Sequence, residues 1–267
     1  MPLVRAGEIE LSYERSGSGP PLLMIMGMSG TTLHWGEPFL DALRADFELI
    51  TYDHRGIGAS SRVYRPFTIA QLARDAEQLM RALKLDSAHV FGISMGGMIA
   101  QELALNWPAR VRSLVLGCSY CGGRGSSLAT TEVLRQLSDA MMSGDRERAL
   151  RSAWSVNVCD TLLHDESAFE TFRAIGLQRP VAVPVVMAQM QAIAGHETSE
   201  RLAQLTIPTL IVHGTLDELV PVDNARLIAE LIPGARVEIM DGVGHLFFWE
   251  QPQRSAELVR AHALVQV

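Results

Sequence analysis

Short apolar runs alternate with helical patterns along most of this 267-residue chain, and this alternation limits the fold more than any other feature. Continuous apolar runs of this length are typical of strands in a parallel sheet that is buried on both faces. Two earlier segments, Leu3–Arg5 and Glu8–Tyr13, instead have the alternation of a hairpin at a sheet edge. The pattern predicts an α/β fold with a mostly parallel, eight-stranded sheet and helices on both faces. The six buried runs are Pro21–Met26, Phe47–Tyr52, His89–Phe91, Val111–Cys118, Ile207–His213 and Arg236–Met240.

The alternation is interrupted once, between residues 119 and 200, where only helical patterns occur. A strand–helix core with a single helical interruption predicts a helical cap inserted after the sixth strand. The core is therefore expected in two parts, residues 1–118 and 201–267, with the cap formed by residues 119–200. Cap helices are predicted at Leu128–Met142, Arg146–Val158, Glu166–Leu177 and Pro184–Ala194, and a last core helix at Gln253–Val265.

A serine flanked by glycines, Gly92-Ile93-Ser94-Met95-Gly96, lies between a buried run and a long helical pattern. The glycines relieve crowding in a sharp strand-to-helix turn, which exposes the serine hydroxyl at the carboxyl end of the strand. Asp217 follows a later buried run, and His245 follows the last one in a glycine-bracketed loop. Because parallel strands end at the same edge of a sheet, Ser94, Asp217 and His245 are expected to meet there.

Composition and charge exclude several classes of protein. A net charge of −7 and 48% hydrophobic residues indicate a packed core and argue against a nucleic-acid partner. The longest apolar stretches, such as Leu22–Met28, are too short to cross a membrane, and the N-terminus lacks the apolar core of a signal peptide. With three cysteines, a cytoplasmic location is expected. Cys118 and Cys121 form an isolated C-x-x-C without a second ligand pair, so we interpret them as structural.

Four segments carry a resemblance to a known family, namely Tyr52–Ser60, Gly92–Gly97, Ile207–Asp217, and Gly242–His245 with Glu250-Gln251-Pro252. In these segments the chain resembles the α/β-hydrolase superfamily, and the resemblance covers nearly all of its length. Within the superfamily it is similar to small serine esterases, 3-oxoadipate enol-lactonases and cofactor-free haloperoxidases. The resemblance implies a serine hydrolase that needs no cofactor and no metal. Dehalogenases and epoxide hydrolases are excluded, because they use a carboxylate where this chain has Ser94.

The chemistry of acyl transfer assigns a role to each of the three residues. A neutral serine is a poor nucleophile, so His245 is expected to remove the proton of Ser94 and later to protonate the leaving group. Asp217 is expected to hold the imidazole in the correct tautomer and to stabilise its charged form. Glu218 and Asp241 are rival acids, but only Asp217 lies where the order of the motif predicts the acid.

The charge that develops on the substrate oxygen needs two fixed donors, an oxyanion hole. The N–H of Met95, at the start of its helix, is one candidate, and the family pattern points to the N–H of Met28 as the other. The chain departs here from many relatives, which carry His-Gly where it has Met26-Gly27. Gly27 preserves the close approach of the backbone. Which groups support the loop in place of the histidine is a question that the sequence leaves open.

The remaining expectations concern the substrate. The cap is rich in apolar side chains and has no dense cluster of arginine or lysine, which favours a small, largely apolar ester or lactone over a polyanion. A single Arg124 or Arg179 would suit one carboxylate. Aromatic rings at core edges and apolar stripes on helices also have a plain packing interpretation. The residues assigned to substrate binding are Gly27, Trp35, Met187 and Met190.

Three other functions remain open from the sequence. A cofactor-free haloperoxidase or perhydrolase, and a hydrolase that cleaves C–C bonds, would use the same three residues. A catalytically silent receptor with this fold is the third, although such proteins usually lose one of the three, and none is missing here. The chain does not disclose its oligomeric state, so a homo-oligomer stays open as well.

Overall fold

A computed structural model describes residues 1–63 and 65–264. Its strands are β1 (Leu3–Ala6), β2 (Ile9–Gly17), β3 (Pro21–Ile25), β4 (Glu48–Tyr52), β5 (Ala88–Ile93), β6 (Val111–Gly117), β7 (Thr209–Gly214) and β8 (Arg236–Met240). They form one sheet in the order β1-β2-β4-β3-β5-β6-β7-β8. β2 pairs antiparallel with β1 and with β4, and the pairs from β4 to β8 are parallel. The predicted eight-stranded, mostly parallel sheet is confirmed.

Helices cover both faces of this sheet. The core helices are α1 (Glu37–Arg44), α2 (Ile69–Ala82), α3 (Met95–Asn106), α9 (Asp223–Leu231), α10 (Phe247–Glu250) and α11 (Pro252–Ala263). The cap helices, between β6 and β7, are α4 (Thr131–Met142), α5 (Arg146–Ser155), α6 (Asp160–Leu163), α7 (Glu166–Gln178) and α8 (Val183–Ala194). The insertion after the sixth strand is therefore confirmed, whereas the exact boundaries at residues 118 and 200 stay predictions.

The strands are apolar on both faces because each face is covered by a separate layer. Along β3, Leu23 and Ile25 pack into the layer that contains α2, α3 and α9, while Leu22 and Met24 pack into the layer with α1 and α11. A strand with two buried faces has no polar alternation, which is why these runs were continuous in the sequence. The cap has a small core of its own, built around Trp154, Phe169 and Phe172.

The short helices α6 and α10 were not predicted, since four residues carry too little periodicity to detect. The last predicted helix, Gln253–Val265, is found as α11, and Val265 lies outside the described residues. Within residues 1–63 and 65–264, no helix has both the length and the apolar composition needed to span a membrane.

Candidate active site

Ser94 lies on a sharp turn between β5 and α3. Its backbone has φ 57° and ψ −122°, a region that residues other than glycine rarely adopt. The N–H of Ser94 donates to the carbonyl of Gly117 at 2.8 Å, which ties the turn to the end of β6. The serine is half-buried, and the turn has the strand-to-helix geometry that the sequence pattern predicted.

Gly92 and Gly96, which flank the turn at Ser94, leave no room for a side chain. A Cβ built on Gly92 would collide with the carbonyl of Gly96, and a Cβ on Gly96 would collide with the carbonyl of Ile25. Neither glycine has a positive φ, so the backbone conformation alone would admit a side chain. The close contacts of α3 with the end of β5 at Gly92 and with β3 at Gly96 are therefore what demand glycine at these two positions.

Gly96→Ala is expected to destabilise the protein by about 3 kcal/mol or more, because the new methyl group meets backbone that cannot move aside. Chemical denaturation measures the change. Gly195→Ala is the matched control: its built Cβ meets only ordinary contacts at 3.6 Å and 3.9 Å, so stability should change by less than about 1 kcal/mol. Equal stability of the two variants would contradict the steric argument.

His245 and Asp217 form a buried hydrogen-bonded pair. The Nδ1–H of His245 donates to Oδ2 of Asp217 at 2.6 Å, since an ionised carboxylate can only accept. The other oxygen, Oδ1, accepts from the N–H groups of Leu219 and Val220, both at 2.9 Å. These bonds fix the carboxylate and leave Nε2 of His245 as the basic nitrogen.

The pKa of Asp217 is set by two opposing effects. Burial alone would raise it, but the charge of His245 and the hydrogen bonds from His213 and His245 hold the pKa of Asp217 well below its usual range. The carboxyl group is therefore ionised at neutral pH. An ionised carboxylate is what stabilises a charged imidazole beside it.

In the sheet, the strand before Ser94 and the strand before Asp217 are separated by one strand, because β5, β6 and β7 are neighbours. Gly117, which accepts the N–H of Ser94, is followed directly by Cys118. The sulfur of Cys118, a carboxylate oxygen of Asp217 and a ring nitrogen of His245 all lie within 4.8 Å of one another. Ser94 directly follows β5, and Asp217, which pairs with His245, follows β7 of the same sheet.

Cys118 itself was interpreted as structural, and nothing in the sequence indicated that it borders the acid–base pair. Burial raises the pKa of the Cys118 thiol well above its usual value, and the charge of Asp217 adds to the effect. A thiol, a carboxylate and an imidazole are donors that suit zinc. Such an ion would have to displace the hydrogen bond between His245 and Asp217.

His213, at the end of β7, also contacts the acid and was missed from the sequence. Its Nε2 lies 2.7 Å from the carbonyl oxygen of Val220 and 3.2 Å from Oδ2 of Asp217. An N–H at Nε2 therefore faces both oxygens and helps to hold the carboxylate. The only sequence signal was its place four residues before Asp217, which a plain core histidine would share.

The loop after β3 lies directly against the serine. A Cβ built on Gly27 would lie 3.2 Å from Cβ and 3.8 Å from Oγ of Ser94. Met28 follows this glycine, and Met95 opens α3 on the other side of the serine. Among the described residues, neither the N–H of Met28 nor that of Met95 donates to another group. Both N–H groups therefore remain candidates for the oxyanion hole.

Two side chains support this loop where many relatives carry a histidine. The ring nitrogen Nε2 of His54 donates to the carbonyl of Met26 at 2.8 Å. The side-chain oxygen Oε1 of Gln189, on cap helix α8, accepts the N–H of Ser29 at 2.9 Å. These bonds answer the question that the Met26-Gly27 departure left open.

The residues assigned to substrate binding from the sequence lie in different environments. Gly27 adjoins Ser94, as described above. Trp35 is fully buried in the core layer with α1 and α11, where its ring packs against Phe91 and Phe248, so we do not include it among the proposed contacts. Met187 and Met190 are 50% and 38% exposed. The helical period places them away from Gln189, the buried polar residue of α8.

Acid is expected to destabilise the protein through its buried histidines. Burial lowers the pKa of His34, His54, His89 and His196 from 6.5 to about 4. Between these values the unfolded chain binds protons that the folded protein does not, so stability falls as the pH drops from 6.5 towards 4. Each such proton contributes a slope of about 1.4 kcal/mol per pH unit.

Denaturant unfolding at pH 7.5, 5.5 and 4.5 measures this slope. His54→Gln should reduce the slope of the unfolding free energy against pH by up to the contribution of one proton, about 1.4 kcal/mol per pH unit. His164→Gln, at an exposed position, should leave this slope unchanged. A slope in His54→Gln equal to that of the wild type would refute the assignment to His54.

A parallel sheet, a serine on the turn after β5 and a helical cap after β6 define a class, that of the α/β enzymes with a nucleophile on a strand-to-helix turn. The model of the alpha/beta hydrolase family matches residues 22–258. The chain therefore belongs to the alpha/beta hydrolase family and is a hydrolase.

Named relatives agree with this assignment. A putative carbamate hydrolase, RutD, of Azorhizobium caulinodans is 32% identical, with 92% of each chain covered. A putative non-heme bromoperoxidase, BpoC, of Mycobacterium tuberculosis is 27% identical over 92% of this chain and 94% of its own. The solved structure of a hydrolase from Pseudomonas aeruginosa PA01 matches with a TM-score of 0.85 at 28% identity, covering 97% of both chains.

Proposed function

We propose that this protein is a serine hydrolase that cleaves a small, largely apolar carboxylic ester or lactone through an acyl-enzyme. The observation that carries the proposal is the buried pair of His245 and Asp217 at the sheet edge that also bears Ser94. Its tautomer leaves Nε2 of His245 as the base, and the strained turn presents the hydroxyl of Ser94.

In the proposed reaction, Oγ of Ser94 attacks the carbonyl carbon while Nε2 of His245 takes its proton. The negative charge moves to the carbonyl oxygen, where the N–H groups of Met28 and Met95 stabilise it. The tetrahedral intermediate collapses to an acyl-serine, and His245 returns the proton to the leaving alkoxide. Water then attacks the acyl-serine with the same base, which releases the acid and restores Ser94.

Carbamate cleavage is a second candidate, and one observation favours it. The relative that is 32% identical is named a putative carbamate hydrolase. The same three residues serve that reaction, in which His245 protonates the departing oxygen or nitrogen of the carbamate. The bromoperoxidase name of another relative similarly keeps peroxide and acetate as substrates to be tested.

A fluorophosphonate probe and a substrate panel test the proposal. Mass spectrometry of the labelled protein should find the adduct on Ser94, and His245→Ala should abolish it. The panel compares p-nitrophenyl esters, γ-lactones, aryl carbamates, and peroxide with acetate by kcat/KM, with the highest values expected for esters or lactones. No labelling of folded protein would overturn the serine mechanism, and a preference for carbamates would favour the second candidate.

We also propose a cytoplasmic location. Cys118, Cys121 and Cys159 are all free thiols, which a reducing compartment preserves.

A further inference from the structure

Gln189 is a buried polar residue on an otherwise apolar cap helix. The sequence of α8 is VPVVMAQMQAIA, and its mainly buried positions are Val185, Gln189 and Ala192, one stripe of the helix. The side chain of Gln189 is completely buried, whereas Gln191 on the same helix is exposed. Core stripes normally carry apolar residues, so a buried glutamine in this position needs hydrogen-bond partners for its amide group.

The structure shows a hydrogen-bond partner for one of the two polar atoms of this amide. The N–H of Ser29 can only donate, so the atom of Gln189 that meets it at 2.9 Å is the oxygen Oε1. The amide orientation is thereby assigned, and Nε2 is the remaining polar atom. Within the part of the chain that the structure describes, this buried nitrogen has no hydrogen-bond partner. Two N–H donors without an acceptor are unfavourable in a protein interior.

The position of the amide indicates what would satisfy it. Ser29 follows Met28, whose N–H we assign to the carbonyl oxygen of the substrate, and Gly27 lies against Ser94. The amide of Gln189 therefore lies beside the loop that would hold the acyl group. Arg179, the cation suggested earlier for a carboxylate, is paired with Asp53 at 3.2 Å. A neutral amide donor brings no charge to balance an anion, so it suits an uncharged acceptor.

We propose that Nε2 of Gln189 binds an uncharged oxygen on the acyl part of the substrate. The inference rests on the proposed function and sharpens it: the acyl group carries an ether, hydroxyl or oxo oxygen a few bonds from the scissile carbonyl. The cap then contributes to recognition through a fixed donor, because Oε1 is anchored to the loop at Ser29. Gln189 is a specificity residue and takes no part in bond breaking.

Isosteric ester pairs isolate this contact. The p-nitrophenyl esters of butyric and methoxyacetic acid differ by one CH₂ replaced with oxygen, as do those of pentanoic and 3-methoxypropionic acid. For each pair, the ratio of kcat/KM for the ether ester to that for the alkyl ester is measured in wild type and variants at pH 8. Dividing the variant ratio by the wild-type ratio cancels the intrinsic reactivity of the esters.

Three variants separate the two roles of the amide. Gln189→Met removes both the acceptor and the donor, and Gln189→Glu keeps an acceptor for Ser29 but lacks the NH₂ donor. We expect both to lower the ether-to-alkyl ratio at least tenfold for one pair, a loss in the range of one hydrogen bond to substrate. Gln191→Met, on the exposed side of the same helix, should leave the ratio unchanged.

An unchanged ether-to-alkyl ratio would contradict the proposal. If both Gln189 variants keep the wild-type ratio for both pairs, the amide only supports the loop and the proposal is wrong. Melting temperatures of the variants check that each is folded. Fluorophosphonate labelling of the wild type tests the serine mechanism separately: labelling with an unchanged ratio refutes only the role of Gln189, and absent labelling refutes the proposed function.

Discussion

Replacing Ser94 with alanine is expected to lower kcat for the preferred ester by about 10⁴-fold or more. The variant lacks the only oxygen that the proposed mechanism uses to form the acyl-enzyme. The fold should persist, because alanine meets the same backbone strain as serine at this turn and the N–H of residue 94 still reaches the carbonyl of Gly117. Steady-state kinetics and thermal denaturation measure the two effects.

Ser119→Ala is the matched control for this variant. Ser119 is buried, and its hydroxyl donates to the carbonyl oxygen of the half-buried Ser94 at 3.0 Å, so it is a second serine in the same region. Its loss should change kcat by less than about tenfold, the effect of one supporting hydrogen bond. Ester cleavage by Ser94→Ala within tenfold of the wild type would remove Ser94 from the mechanism.

Asp217→Asn is expected to lower kcat by about 10³- to 10⁴-fold. The asparagine can turn its NH₂ group towards Nδ1 of His245 and so favour the tautomer with the proton on Nε2. That tautomer cannot accept the proton of Ser94. The charge that stabilises the imidazolium is lost as well, so kcat should fall at every pH at which the wild type is active.

The rival acid supplies the control. Asp241 is exposed, and its Oδ1 accepts only a long hydrogen bond, 3.3 Å, from the hydroxyl of Thr215. Asp241→Asn should therefore change kcat by no more than about threefold. If Asp241→Asn were the damaging change and Asp217→Asn the mild one, the acid would be misassigned in spite of its contact with His245.

Much of the fold was predictable because its signals are local. A strand buried on both faces must be apolar throughout, so β3, β5, β6 and β7 appeared as continuous runs. The glycines around Ser94 reflect close backbone contacts of α3 with β5 and with β3, which leave no room for a side chain. The positions of Asp217 and His245 followed from the rule that parallel strands end at one edge. Hydrophobic periodicity and required glycines are local features, so they can be recognised within a single segment of the sequence.

Other features depend on which helical layer or cap surface a side chain packs into, and no local sequence pattern encodes this packing. Trp35 follows the loop beside Ser94, yet its ring packs into the core against Phe91 and Phe248. On α8, Met187 and Met190 are partly exposed, whereas Gln189 on the same helix is completely buried. In each case the sequence set the apolar character, and the packing of elements set the environment.

The sequence alone therefore determined the sheet, the cap insertion and the three residues proposed to react. Only the tertiary structure decided the contacts made across elements: His213 and Cys118 beside Asp217, His54 beneath Met26, and Gln189 against Ser29. The physical reason is distance along the chain. A hydrogen bond between residues 160 positions apart, such as that from Ser29 to Gln189, leaves no periodic trace in either segment.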